Sequence, residues 1–278
     1  INEDHRYSLH KMSKNGLFNE GTGNPLEVGY ITLRSNAELL NQILVREALS
    51  FSINRNLISK RVSYQLRKPL RSIIPPHLKA RKNSPWPEYN PEKARSLFKE
   101  AGFCTSRKLL LPLTFRSNVP ADKLLALTWQ AQVNRELSDC LKIELNSLES
   151  TTVYKQLGEG AFEAVILDWR GAYPDPEAYL TPLLSCKEIN NTTCSKGEAA
   201  ISGSFWSTMQ IEQKLSEADG IIGQKRLPIL AEIEKLAADG NAYLPVWLVR
   251  PRAWSQINIS KPVFDGSGNM LLDQITPK

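Results

Sequence analysis

The chain of 278 residues has no apolar run approaching 18 residues, so no segment reads as a membrane-spanning helix. It has no Gly-x-Ser-x-Gly elbow and no phosphate-binding Gly-Lys-Ser loop, which removes the common signatures of serine hydrolases and nucleotide hydrolases. Histidine is scarce: His5, His10 and His77 lie far from the four cysteines, and no Cys-x-x-Cys occurs. That argues against a zinc site and against a catalytic triad, so no metal and no cofactor is expected. Acidic residues are missing from Ala48 to Pro87, where nine Lys or Arg stand. That stretch reads as a solvated basic face, with an anionic partner such as a phospholipid surface or an acidic ligand as the sharper alternative. Its basic residues are not interleaved with a regular aromatic series, and no zinc finger, RNA-recognition signature or basic zipper accompanies them, so nucleic acid is not an expected partner. The sequence opens at Ile1 without a signal-peptide pattern and is expected to be a processed or shortened product.

What is present supports a folded α/β protein. Hydrophobic residues make up 41% of the chain, enough for a real core, and the net charge is +6. Residues 1–28 are polar and lack a clear period. Gly29–Leu33 reads as a strand, and Glu38–Val62 as helix, with Asn54 capping a second helix. Five prolines in 66–90 predict an extended, loop-like segment. Asn90-Pro91 predicts a helix start and Gly102 its stop. Leu109–Phe115 and Leu141–Leu148 read as strands around a helix at Ala121–Ser138, with Leu124, Leu127, Ala131 and Leu137 among its buried candidates. The order predicts two parallel neighbours. A short helix at Val153–Leu157 precedes the apolar run Ala164–Leu167. One or two helices fill 207–239, Tyr243–Val249 is a further strand, and Asp265-Gly-Ser-Gly268 is a turn.

Cys186 and Cys194 enclose a polar loop whose spacing suits a disulfide in an oxidising space, two unpaired loop thiols being the alternative. Cys104 and Cys140 each precede a predicted strand, and whether they pair is open.

The octapeptide Trp169-Arg-Gly-Ala-Tyr-Pro-Asp-Pro176 follows the buried run. An aromatic-rich, Gly- and Pro-punctuated turn at the end of a buried strand is a place where α/β proteins hold small ligands. Together with Val45-Arg-Glu-Ala-Leu-Ser-Phe-Ser-Ile-Asn-Arg55, Tyr89-Asn-Pro-Glu-Lys-Ala, Glu100-Ala-Gly102, Gly160-Ala-Phe-Glu163 and Leu244-Pro-Val-Trp247, it resembles, in order, the segments of the family 5 extracellular solute-binding proteins. The resemblance runs from about Tyr30 to the C-terminus. It implies a periplasmic-binding-protein-like α/β lobe with a small, mainly parallel sheet flanked by helices. It implies a non-enzymatic, substrate-binding component of an ABC importer, capturing a small solute or peptide between two lobes, periplasmic or extracellular and with a membrane permease as partner. On that resemblance, 29–249 is the second, ligand-binding lobe, 1–28 enters from a first lobe missing here, and 250–278 returns to it.

The same resemblance implies that Asp168, Trp169, Arg170, Gly171, Ala172 and Tyr173 face the ligand. Trp169 is read either as a pocket wall or as a core aromatic under the loop. Peptide binders of the family place an Asp three residues after the loop Trp, against the peptide's ammonium. Ala172 stands there in this chain, and Arg170 adds a cation that would favour an anionic ligand, unless it points to solvent or pairs with Asp168 or Asp175. Arg34 replaces an Asn common in the family, and Asp175 reads as the holder of the Pro-Asp-Pro turn. The alternatives are a sensory or regulatory module reusing the lobe, and a hydrolase using Asp168 and Asp175.

Overall fold

A computed structural model describes residues 2–79 and 83–278; Ala80, Arg81 and Lys82 of the acid-free, proline-rich stretch lie outside the described residues. The polar first segment is structured: helix α1 (Glu3–Lys14) is followed by strand β1 (Phe18–Thr22). The absence of apolar periodicity hid α1, which is set by its ends instead. Asn2 Oδ1 accepts from His5 N at 2.9 Å, Glu3 and Asp4 fill the first turn, and Lys11 and Lys14 the last.

Strand β2 (Glu27–Leu33) begins two residues before the expected Gly29. The predicted long helical stretch is two helices, α2 (Ile43–Phe51) and α3 (Arg55–Ser63), split at Asn54, whose Oδ1 accepts from Leu57 N at 2.9 Å. The proline-rich segment contributes only the two-residue strand β3 (Lys68–Pro69) and a single 3₁₀ turn at Pro76–Leu78 among the described residues. Helix α4 (Pro91–Glu100) starts as expected, with Asn90 Oδ1 accepting from Lys93 N at 2.9 Å.

The unit β4 (Leu109–Arg116), α5 (Pro120–Glu136), β5 (Leu141–Leu148) has the expected parallel pairing, Leu109 opposite Leu141. The face of α5 differs from the expected one. Leu124 and Leu127 are 40% and 43% exposed, and Ala131 is exposed, while Leu125, Ala126, Trp129 and Val133 are buried. Two apolar stripes compete on this helix, and the one carrying Trp129 removes more surface from water. Leu137 is buried as predicted.

Helix α6 (Ser150–Leu157) leads into β6 (Ala164–Arg170), then α7 (Glu177–Leu184), the small ribbon β7 (Glu188–Asn190) and β8 (Thr193–Lys196), and α8 (Glu198–Ile201). Helices α9 (Met209–Asp219) and α10 (Leu227–Gly240) precede β9 (Tyr243–Val249) and β10 (Arg252–Gln256).

The main sheet has six strands in the order β3-β9-β2-β6-β4-β5. Strands β4, β5, β6 and β9 point one way and β2 and β3 the other, so direction is mainly parallel. The pairings are mixed: β5–β4 and β4–β6 are parallel, while β6–β2, β2–β9 and β9–β3 are antiparallel. Alternation along the strands divides the core. Ile31, Leu33, Ile166, Leu244 and Val246 pack on one face with α2–α5. Val28, Tyr30, Val165, Leu167 and Leu248 pack on the other with α7, α9 and α10. Beside this sheet, β1 pairs antiparallel with β10, so the two ends of the chain meet in a separate ribbon. The tail turn at Asp265–Gly268 is present, with Asn269 N donating to Asp265 Oδ1 at 2.8 Å, but its flanks are a single bridge, Phe264 to Met270, rather than strands.

Both cysteine pairs are bonded, Cys186 to Cys194 and Cys104 to Cys140. Asp139 lies beside the second pair, but sulfurs bonded to each other are not thiolate ligands. The basic stretch is not uniformly solvated, contrary to the reading from charge alone. Arg55 and Arg67 are only 4% and 9% exposed, because backbone carbonyls and carboxylates from distant segments reach them.

Candidate functional site

The site is assembled at the carboxyl end of β6. Successive side chains of a strand point to opposite faces, and this divides the predicted residues. Trp169 continues the face of Val165 and Leu167. It is half-buried against that core, and its indole Nε1 donates to Ala178 O at 2.7 Å. Asp168 and Arg170 point to the other face, where Glu27 stands opposite Arg170 on β2. Gly171 is buried where the chain leaves the strand. A Cβ there would lie 2.7 Å from Tyr179 Cε2, so only glycine lets the loop close over that ring. Tyr179 in turn donates to Leu26 O at 2.6 Å, fixing the loop to β2's entry. Ala172 and Tyr173 are exposed at the loop tip, Tyr173 to 49%.

Asp175 holds the turn, accepting from Glu177 N at 2.8 Å and from Arg226 Nη1 at 3.1 Å. Asp168 is bound by a different guanidinium, Arg116. The two carboxylates proposed for hydrolysis are thus each ion-paired to separate arginines. Arg170 pairs with neither acid. Its Nη2 donates to Ser267 O and, at 3.3 Å, to Asn269 Oδ1, tying the loop to the tail turn.

Sequence reasoning missed the residues that surround this end of the sheet. Arg116 donates to Asp122 Oδ2 at 2.7 Å and to Tyr154 OH at 2.7 Å as well as to Asp168. Burial opposes its charge, but the hydrogen bonds it donates to Asp122 and Asp168 outweigh this and raise its pKa. Because Arg116 ends a strand parallel to β6, the rule that sites collect at the carboxyl ends of parallel strands could have found it. Arg67 pairs with Glu3 at 2.9 Å and with Glu27 at 3.6 Å, and its guanidinium lies 4.9 Å from the Trp247 ring centroid. Nothing in the sequence brings Glu3 to Arg67.

Between Arg170 and the ribbon lies a cavity of about 420 Å³, lined among others by Arg6, Glu27, Arg170, Arg250, Arg252 and Trp254. Four arginines and one carboxylate give it a positive balance. Arg252 pairs with Glu20, and Arg250 Nη1 donates to Gly23 O at 3.1 Å. Burial, and then the nearby Asp168 charge, push the Glu27 carboxyl above its ordinary 4.5 despite Arg67.

The sign of this shift sets a pH dependence. With a raised pKa, folded Glu27 holds its proton more tightly than the unfolded chain does. Its contribution to stability is therefore fully present below about 4.5 and is lost as pH rises through the raised value. The Glu27→Gln variant is expected to gain stability relative to the parent between pH 4 and pH 7. Urea unfolding at both pH values measures this, and a gain that is equal at both or larger at pH 4 contradicts it.

This architecture, a mixed and mainly parallel sheet covered on both faces by helices, is a periplasmic-binding-protein-like fold. The profile of the bacterial extracellular solute-binding proteins, family 5, middle region, matches residues 6–191, and the chain belongs to this family. Among curated relatives, the peptide transport periplasmic protein SapA of Salmonella typhimurium is 25% identical over 228 residues. The match covers 78% of this chain and 41% of that protein. Heme-binding protein A of Haemophilus influenzae is 22% identical over 231 residues, covering 80% of this chain and 39% of its own length. Among solved structures, HbpA2 from Haemophilus parasuis superposes with a TM-score of 0.82 at 21% identity, over 98% of this chain and 52% of that one. NikA from Brucella suis, in complex with Fe(III)-EDTA, superposes with a TM-score of 0.81 at 18% identity, over 100% of this chain and 56% of that one. The chain thus spans less than half the length of these curated relatives and about half that of the solved structures.

Proposed function

We propose that this chain is the greater part of the second lobe of a solute-binding protein, serving as the capture component of an ABC importer outside the cytoplasmic membrane. The solute sits against the Trp169–Tyr173 loop and the adjoining arginine-lined cavity. A first lobe closes over it, and a membrane permease receives it without chemical turnover. We read residues 29–249 as the lobe and 1–28 and 250–278 as running toward the other, a reading that the pairing of β1 with β10 beside the main sheet supports. Family membership supports capture, and the disulfides suit an oxidising compartment.

The observation that carries the ligand's charge is the cavity itself, where Arg6, Arg170, Arg250 and Arg252 outnumber Glu27. With Ala172 at the loop tip in place of an acid, the described lobe offers an anion more partners than it offers an ammonium. A solute with a carboxylate or another anionic group is the class that fits, and ordinary peptides with free amino termini are poor ligands.

Calorimetry on the two-lobed protein with matched peptides bearing free and acetylated amino termini tests this. The acetylated peptide is expected to bind at least as well, and Arg170→Ala to weaken it by about tenfold. Much tighter binding of the free-amine peptide, unaffected by Arg170→Ala, would refute the charge assignment.

A further inference from the structure

The acid-free stretch from Ala48 to Pro87 divides into buried and exposed cations. Arg55 and Arg67 are buried, but Lys60, Arg61 and Lys68, on α3 and β3, are exposed. Helix α1 lies against α3 and extends the exposed set. Tyr7 of α1 stacks on Tyr64 at the end of α3, with ring centroids 4.3 Å apart and an interplanar angle of 15°. Lys11 Nζ lies 5.8 Å from the Tyr7 ring centroid, and Lys14 follows one turn later on the same side of α1. Both lysines are exposed. On α3, Lys60 and Arg61 stand one turn before Tyr64 and share its side of the helix. Cations from two helices and a strand thus meet around one pair of stacked rings.

The carboxylates of these elements are few and engaged. Neither α3 nor β3 contains Asp or Glu. Of the acids of α1, Glu3 is buried against Arg67 at 2.9 Å, and Asp4 accepts from Tyr64 Oη at 2.7 Å. Asp4 keeps its charge, so one exposed anion stands against Lys11, Lys14, Lys60, Arg61 and Lys68. Among the described residues none of these cations makes an ion pair. Exposed lysines elsewhere are matched, Lys142 by Glu144, Lys196 by Glu188 and Lys235 by Asp239. Like charges gathered on one face repel one another, and a surface of opposite sign removes that cost.

We propose that this face of α1, α3 and β3 docks the protein on a bilayer rich in anionic phospholipid. Each Lys or Arg held near such a surface strengthens binding about fivefold, and no shaped pocket is needed. A protein partner would bury an apolar centre. The large exposed side chain at the middle of this face is instead Tyr64, 46% exposed and stacked on Tyr7. A phenol, apolar in its body and polar at its tip, suits the headgroup layer. The Trp169 loop takes no part, so the contact is independent of solute capture.

The test is co-sedimentation of the 278-residue chain with phosphatidylcholine vesicles, with and without about 30% phosphatidylglycerol, at low ionic strength. Retention is expected only with phosphatidylglycerol, and is expected to vanish near about 1 M salt, where the Debye length falls to about 3 Å. The triple variant Lys60→Gln, Arg61→Gln, Lys68→Gln is expected to bind about a hundredfold more weakly, and the double variant Lys11→Gln, Lys14→Gln about twentyfold. Circular dichroism checks that both keep the fold, as the exposure of these side chains leads one to expect. The control is Lys155→Gln, Lys187→Gln, Lys225→Gln, which lowers the net charge as much as the triple variant does. Its exposed positions lie on α6 and beside α7 and α10, which pack on the opposite face of the sheet from α3. It is expected to bind nearly as the parent does. An equal loss in control and triple variant would mean attraction by net charge alone and would overturn the face. Retention that survives high salt would overturn it as well. So would no retention on phosphatidylglycerol, which would leave an acidic protein surface as the class of partner.

Discussion

Replacing Cys104 and Cys140 together by serine is expected to cost about 4 kcal/mol, whereas replacing Cys186 and Cys194 is expected to cost about 2.5 kcal/mol. The difference follows from loop length. The first bond closes a chain segment with a separation of 36 residues and the second one of 8, and longer closed loops remove more entropy from the unfolded chain. The first bond also joins the loop after α4 to the entry of β5, where Leu109 N donates to Cys140 O at 2.8 Å. It therefore pins the edge of the main sheet, while the second pins only a surface ribbon. Non-reducing mass spectrometry should find both bonds, and urea unfolding of the two double variants should rank them in this order. Equal costs, or the reverse order, would show that the bonds act on the native structure rather than through chain entropy.

The Arg116→Ala variant is expected to lose about 3–5 kcal/mol, because it strands a buried carboxylate. Asp122 is 2% exposed, and both its oxygens accept from Arg116, at 2.7 and 3.2 Å. Without the guanidinium Asp122 must stay charged with no counter-ion or take up a proton. The deficit should accordingly shrink as pH falls from 7 toward 5, since protonation removes the stranded charge. The double variant Arg116→Met, Asp122→Leu should recover most of the loss, an apolar pair being no worse than a buried ion pair. A double-mutant cycle in urea at two pH values measures all three terms. A loss under 1 kcal/mol, or one that does not change with pH, would mean that water reaches Asp122 in the variant. The variant also frees Asp168 at the proposed solute face, so any change in solute binding must be measured against its stability.

The elements read from sequence were those marked by local chemistry. Asn54 and Asn90 acted as caps where expected, because a cap is a contact between residues three apart. The parallel pair around α5 followed from the order of periodic segments. Helix α1 escaped notice because its stability rests on end charges and on packing with distant residues, among them the Glu3–Arg67 ion pair. The buried face of α5 was misread for a related reason. Either of its apolar stripes satisfies a helical period, and the fit of Trp129 into the core chose between them.

The Trp169 loop shows the same division within a few residues. Its place after a buried strand, its turn chemistry and the bond between Cys186 and Cys194 could all be argued from neighbours in sequence. That Trp169 and Arg170 face opposite sides of the sheet follows from strand alternation, but which side holds the solute does not. The partners of the charged residues needed the folded chain. Arg170 bonds to residues 267–269, Arg116 to Asp168, Arg67 to Glu3, and Arg55 to Pro245. Family and fold were legible because they are written in local propensities and in the order of segments, whereas the electrostatics of the basic residues were decided by tertiary structure. A guanidinium's environment depends on burial and on acceptors far along the chain, 190 residues away for Arg55 and Pro245, and no local pattern encodes either.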